Sequence, residues 1–246
     1  MAGSDNFLPF FATMPSAESV AAKPLRLALL LYPGCMPAGL FAAADMARAA
    51  NLRAQAPLID LCWAGVDLQP VPTWQGPALA PTVALAQAGA DAVLVPGLWL
   101  SSPDGLQAPL RQLAPVVQAL RALPRHTQLW SYCAGVLLAA ASGRLRGQGA
   151  TATWWLRAAL EQQFADVVWR FDEPLVAGPS ATTAAGANGY LPLMLHTLAE
   201  RLAPQALTDL QELLMLPRPR TAHPAFARHD LMTTADADLR RAMLWV

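Results

Sequence analysis

Short apolar runs, each stopped by a turn signal, alternate along this chain with longer stretches of helical period. Residues 25–31 form the first run and stop at Pro33-Gly34, the pattern of a strand buried on both faces of a parallel sheet. An Ala-rich helix is predicted over 38–51, with Asp45 and Arg48 one turn apart. Residues 58–63 and 91–95 read as further strands, the second ended by Pro96-Gly97. Over 107–122 the side chains of Leu110, Leu113, Val117 and Leu120 share one helical face, and Pro115 marks a kink or a restart. A fourth strand at 127–131 runs straight into a small-residue helix at 134–142. The alternation continues with strands at 151–153, 167–169 and 175–177 and helices at 154–164, 187–203 and 205–216. No internal repeat is visible. Strands alternating with helices predict an α/β three-layer sandwich with a mostly parallel sheet, its functional crevice at the carboxyl ends of the strands.

The two ends differ from this body. Residues 1–24 lack either period and carry Phe7, Phe10 and Phe11, which predicts a tail. Residues 217–246 begin with a basic, Pro-rich stretch that holds Arg218, Arg220, His223 and Arg228, the pattern of an extended linker. Asp236 then caps a new helix that reaches Leu244-Trp245-Val246, either a docked terminal helix or the start of a further domain. The expected organisation is a tail at 1–24, a body at 25–216 and a linker region at 217–246.

With 54% hydrophobic and 14% charged residues, the chain has ample apolar content for a core, which excludes wholesale disorder. The formal net charge is +0, so no global basic field attracts nucleic acid or acidic lipid. Three cysteines exclude a disulfide scaffold and fit a reducing compartment. No apolar run approaches the ~18 residues of a spanning helix, and no basic residue precedes Lys23. A cytoplasmic protein with no membrane partner is expected. His126, His196, His223 and His229 show no metal-ligand spacing, so neither a metal nor a cofactor is expected.

The chemistry concentrates at Leu129-Trp130-Ser131-Tyr132-Cys133-Ala134-Gly135-Val136. A strand meets a helix with a cysteine at the turn and a small residue two positions to each side. That is the steric requirement of a nucleophile elbow. A helix N-terminus behind Cys133 is expected to favour its thiolate, and the amides of Ala134 and of the Pro96-Gly97-Leu98 turn are candidates for an anion site. The alternative is an inert cysteine at a tight turn. Cys35, beside Pro33-Gly34, is expected at the same sheet edge, where a redox pairing with Cys133 requires Cα atoms within about 7 Å. Cys62, inside an apolar strand, is read as core.

The stretches around residues 30–51, 91–99, 129–155 and 182–204 resemble, in order, landmarks of the ThiJ/PfpI superfamily, with its class I glutamine amidotransferase-like, flavodoxin-like fold. The similarity is greatest to the branch joined to AraC-type transcription regulators, the GlxA-like proteins. There the family reads Ser-Ile-Cys-Thr-Gly, then Ala-Thr-Thr-His-Trp, with a Phe ten residues after that Trp; Trp154 and Phe164 keep the spacing. The resemblance implies that an AraC-type helix-turn-helix unit follows, with residues 236–246 leading into it. The departures are equally specific. The acid that contacts the family's cysteine falls on Gly39, with Asp45 the nearest carboxylate; the Thr after the cysteine is Ala134; the His is Thr153; a late Asp falls on Pro192. A cysteine without a base or an acid lacks the means to deliver a proton to a leaving group.

Cys133 is therefore read as a vestigial nucleophile in a binding pocket. Its mouth is expected to be formed by Gly34, Cys35, Gly97, Leu98, Trp99, Cys133, Ala134 and Trp154, with Tyr32 adding an aromatic wall. Such a lining suits a small, largely apolar or cationic molecule. Two functions follow from the resemblance and the residues together. The favoured one is the effector-sensing domain of an AraC-type regulator: a homodimer that binds a small-molecule effector and reaches DNA only through a helix-turn-helix domain outside this chain. The other is a stand-alone cysteine hydrolase or hydratase acting on a small amide, nitrile-like or carbonyl substrate.

Overall fold

The computed structural model describes residues 23–100 and 105–217. The expected tail before residue 23 and the linker and helix after 217 lie outside the described residues.

Four apolar runs make the centre of a seven-stranded sheet: β1 (Leu25–Leu30), β2 (Ile59–Gly65), β6 (Ala92–Val95) and β7 (Gln128–Tyr132). The strand order is β10-β11-β7-β6-β1-β2-β5, where β5 is Val83–Ala84, β10 is Leu175–Ala177 and β11 is Ala181–Ala184. Every pairing is parallel except that of β10 with β11. Residues 27–30 of β1 and all of β6 are buried, as strands covered on both faces must be.

The helices fall into two packed groups. Helix α1 (Ala38–Ala54) meets α6 (Tyr190–Ala199) and α7 (Pro204–Leu213). Helix α2 (Gln107–Gln112) precedes α3 (Ala114–Ala122), which packs on α4 (Val136–Ala141). Pro115 stands in the first turn of α3, so the predicted kink is a true restart at Leu113. The α5 helix (Arg157–Gln163) follows a 3-10 turn at Trp154–Leu156. The strand expected at 151–153 is instead β8 (Gly149–Ala150), paired in parallel with β9 (Val168–Trp169) outside the main sheet. A small hairpin, β3 (Val71–Pro72) with β4 (Ala78–Leu79), completes the elements. Among the described residues no helix is long and apolar enough to cross a membrane.

Two polar devices fix α1. The Asn51 side chain accepts from the Leu58 and Ile59 amides and donates to the Ile59 carbonyl, setting the turn into β2. Arg53, 6% exposed, donates to Asp209 at 2.6 Å and ties α1 to α7. The hydrogen bonds from Arg53 and Gln205 hold the Asp209 carboxyl below the ordinary range. A depressed folded-state pKa gives stability that is present above the unfolded carboxylate value and lost as pH falls through the folded one. Asp209→Asn is therefore expected to lower the urea midpoint at pH 7, and to lower it by less at a pH below the ordinary carboxylate range. An equal deficit at both pH values would rule out this linkage.

Candidate functional site

The sharp turn after β7 is built from close backbone approaches. Cys133 adopts φ +56, a left-handed conformation that costs a non-glycine residue of order 1 kcal/mol or more. The chain then enters a 3-10 turn over Cys133–Gly135 before α4 begins. Gly135 is obligatory here, since a Cβ at this position would lie 2.1 Å from the Pro96 carbonyl oxygen. Gly97 touches the other side, where an added Cβ would be 3.0 Å from Cys133 Cβ and 3.3 Å from its Sγ. The elbow expected from Ser131 and Gly135 is present.

The β6 exit is tied to the β1 exit as well. Tyr32 Oη donates to the Pro96 carbonyl at 2.5 Å, the Met36 amide donates to the Gly97 carbonyl at 2.8 Å, and Cys35 forms an antiparallel bridge with Leu98. Because β6 lies between β1 and β7 in the sheet, its exit segment separates the two cysteine-bearing edges. Cys35 and Cys133 are both buried and free.

The acid position tells the most. Gly39, in the first turn of α1, faces the Tyr132 ring: a Cβ there would lie 2.2 Å from Tyr132 Oη and 2.7 Å from Tyr190 Cδ1. Tyr132 and Tyr190 meet edge to face at 6.1 Å. Tyr132 is 2% exposed, and its hydroxyl has no hydrogen-bond partner among the described residues. A tyrosine from the strand thus fills the room next to residue 39. Asp45, the nearest carboxylate in sequence, is exposed. Among the described residues neither a carboxylate nor an imidazole hydrogen-bonds to Cys133.

Burial decides the thiol's ionisation. It pushes the Cys133 pKa up by more than the Ala134 amide brings it down. The lowering expected from a helix N-terminus is therefore overturned, for the cysteine is buried and α4 has only 6 residues behind a 3-10 turn. Burial raises the Cys35 thiol too, and pushes the Tyr32 and Tyr132 hydroxyls well above the ordinary phenol range. At neutral pH the four groups are uncharged.

Of the expected mouth residues, Cys35, Gly97, Leu98 and Cys133 come together, but Cys35 and Ala134 are fully enclosed. Gly34 and Trp154 are half-buried, and Trp99 is 55% exposed. Tyr32 is not a wall, because it is wholly buried with its hydroxyl on Pro96. The aromatic partner absent from the sequence reading is Trp74, on the β3–β4 hairpin. Its ring stacks on Trp99 at 5.6 Å with planes 8° apart. The Trp74 amide donates to the Cys35 carbonyl at 2.9 Å, and the Gly34 amide to the Pro72 carbonyl at 2.8 Å, which fastens the hairpin to the site. Its one signal in the sequence is the turn-rich run Pro72-Thr73-Trp74-Gln75-Gly76-Pro77. Among the described residues no group of three His, Cys, Asp or Glu is placed to hold a metal ion.

No protein-family model matches the sequence, and no curated protein matches it. Solved structures do share its fold. A ThiJ/PfpI family protein from Pseudomonas syringae superposes with a TM-score of 0.63 at 22% identity, covering 98% of this chain and 91% of that one. An AraC family transcriptional regulator from Pseudomonas putida gives 0.60 at 21% identity, covering 78% of this chain and 100% of that one. Drosophila melanogaster DJ-1beta gives 0.61 at 19% identity, covering 79% and 100%. The structural neighbours are thus DJ-1/ThiJ/PfpI superfamily proteins, regulators among them, and the chain has their α/β flavodoxin-like fold.

Proposed function

We propose that this chain is the effector-sensing domain of an AraC-type transcriptional regulator, built on a ThiJ/PfpI-like fold whose catalytic site has been converted to binding. The observation that carries this reading is Tyr132 beside Gly39. The elbow and its cysteine are kept, while the position of the family's acid has neither a side chain nor room for one. The same fold in an AraC family regulator supports the assignment. Acyl transfer needs a group to protonate the leaving atom, and among the described residues no carboxylate or imidazole is bonded to the protonated, buried Cys133 thiol to serve as base or acid. Reversible binding needs only shape and apolar contact.

DNA contact falls to a helix-turn-helix unit outside the described residues, and paired half-sites favour a two-fold dimer of this domain. Sedimentation at micromolar concentration is expected to report that dimer; a monomer alone would contradict it. A regulator of transcription works in the cytoplasm, which fits three free cysteines.

Turnover is the direct test. Residues 1–246, incubated with small amides, nitriles and carbonyl compounds, are expected to show no Cys133-dependent reaction. Activity lost in Cys133→Ala would overturn the reading in favour of a cysteine hydrolase or hydratase, which the retained strain at Cys133 would then serve. With 17 basic and 17 acidic residues, the chain alone is also expected to give no salt-sensitive shift of duplex DNA.

A further inference from the structure

We propose that the stacked indoles of Trp74 and Trp99 are the recognition platform of the effector site, and that the effector presents a planar, uncharged ring to Trp99. This rests on the sensor reading above and narrows it to a ligand class.

Two large aromatics held in water are costly unless something covers them. Trp74 is 40% exposed and Trp99 55%. The two rings stack with an offset, 5.6 Å between centroids, and each keeps exposed area beyond that overlap. The backbone that carries each ring is anchored. Trp74 is fixed by its amide on Cys35, and the hairpin turn is closed by the Thr73 hydroxyl donating to the Pro77 carbonyl at 2.8 Å. Gln75 in that turn takes φ +48, a conformation maintained only where the turn is well determined. Trp99 follows Leu98, which is bridged to Cys35. The platform is therefore preorganised, which spares a ligand the cost of ordering it.

Position links the platform to the elbow. Trp99 stands two residues after Gly97, which packs against Cys133, and Trp74 is bonded to the residue bridged to Leu98. The absence of formal charge argues against an anion, and the stacked geometry favours a ring. Cys35, Leu98, Trp74, Trp99 and Cys133 carry no formal charge, and both thiols are held protonated by burial. A carboxylate or phosphate gains no ion pair from these side chains. A planar ring gains an offset stack at the spacing the two indoles already show.

The test uses residues 1–246 and three probes: 2-naphthol, its saturated counterpart decahydro-2-naphthol, and tetramethylammonium. Calorimetry is expected to show 2-naphthol binding at least tenfold more tightly than decahydro-2-naphthol. Trp99→Ala is expected to weaken 2-naphthol about tenfold, and Trp99→Phe to retain most of the affinity. At a pH above the ordinary thiol range, where Cys133 begins to ionise, bound 2-naphthol is expected to slow its alkylation by iodoacetamide, read peptide by peptide, which places the probe over the elbow. Because Trp99 is exposed, both variants are expected to keep the parent melting temperature. Tetramethylammonium binding through Trp99 in place of 2-naphthol would overturn the ring class and leave the sensor reading standing. Unchanged 2-naphthol affinity in Trp99→Ala would overturn the platform. No protection of Cys133 by any probe would overturn the proposal, and Cys133-dependent turnover would overturn the sensor reading separately.

Discussion

Gly135→Ala is expected to cost about 4 kcal/mol or more of folding stability, or to prevent folding altogether. The reason is local and backbone-borne. The added methyl would lie 2.1 Å from the Pro96 carbonyl oxygen and 2.8 Å from its carbonyl carbon. Neither atom is the end of a flexible side chain. Pro96 is itself gripped by Tyr32 and followed by Gly97, which already touches Cys133. Relief would require α4 and the β6 exit to separate, opening the centre of the fold. Gly105→Ala is the control, since nothing lies within 4 Å of the added methyl, and it is expected to stay within about 0.5 kcal/mol of the parent. Urea unfolding of the two variants side by side decides the matter. Equal midpoints would mean that the elbow is not as tight as described.

The second large effect is expected at Gly39. Gly39→Ala should destabilise by about 1–3 kcal/mol, although alanine is the better helix former, because its methyl meets the Tyr132 hydroxyl, the Tyr132 ring and Tyr190. Tyr132→Phe removes a buried hydroxyl that has no partner among the described residues, so it is expected to be neutral or stabilising by about 1 kcal/mol. In the double variant the worst overlap, at 2.2 Å, is gone while those at 2.7 and 2.9 Å remain. Part of the Gly39→Ala loss should therefore return, giving a coupling of about 1 kcal/mol in a double-mutant cycle. Strictly additive effects would show that Tyr132 does not occupy the room beside residue 39.

The centre of the sheet was legible because its strands are short apolar runs, two of them, β1 and β6, cut off by Pro-Gly, a pattern with little competition from helices. The elbow was legible for a steric reason, the small residues two positions either side of Cys133. β11 was not. Its sequence, Ala-Thr-Thr-Ala, is neither strongly apolar nor alternating, and its burial arises only once β7 lies beside it. The β3–β4 hairpin contributes two residues per strand, too few for any period, so Trp74 was missed along with it. The thiol's ionisation was misread because sequence reveals a helix behind a cysteine but not how deeply the cysteine is buried. That the position resembling the family's acid holds Gly39 was visible in the sequence. That Tyr132 fills the room beside it follows only from the packing.

The strand that bears the elbow has neighbours from distant parts of the chain. Val95 and Ser131 pair on one side, and Ser131 and Thr183 on the other. During synthesis, Leu129-Trp130-Ser131-Tyr132 therefore leaves the ribosome well before the segment that will cover its outer edge. Until Ala181–Ala184 follows, that edge offers unpaired amides and carbonyls on an apolar strand, the template on which nascent chains aggregate. β10, which emerges just before β11, caps its outer edge as an antiparallel strand. Slowed translation between residues 132 and 181 lengthens the time for which β7 stands with one edge unpaired, and is expected to lower the yield of native protein.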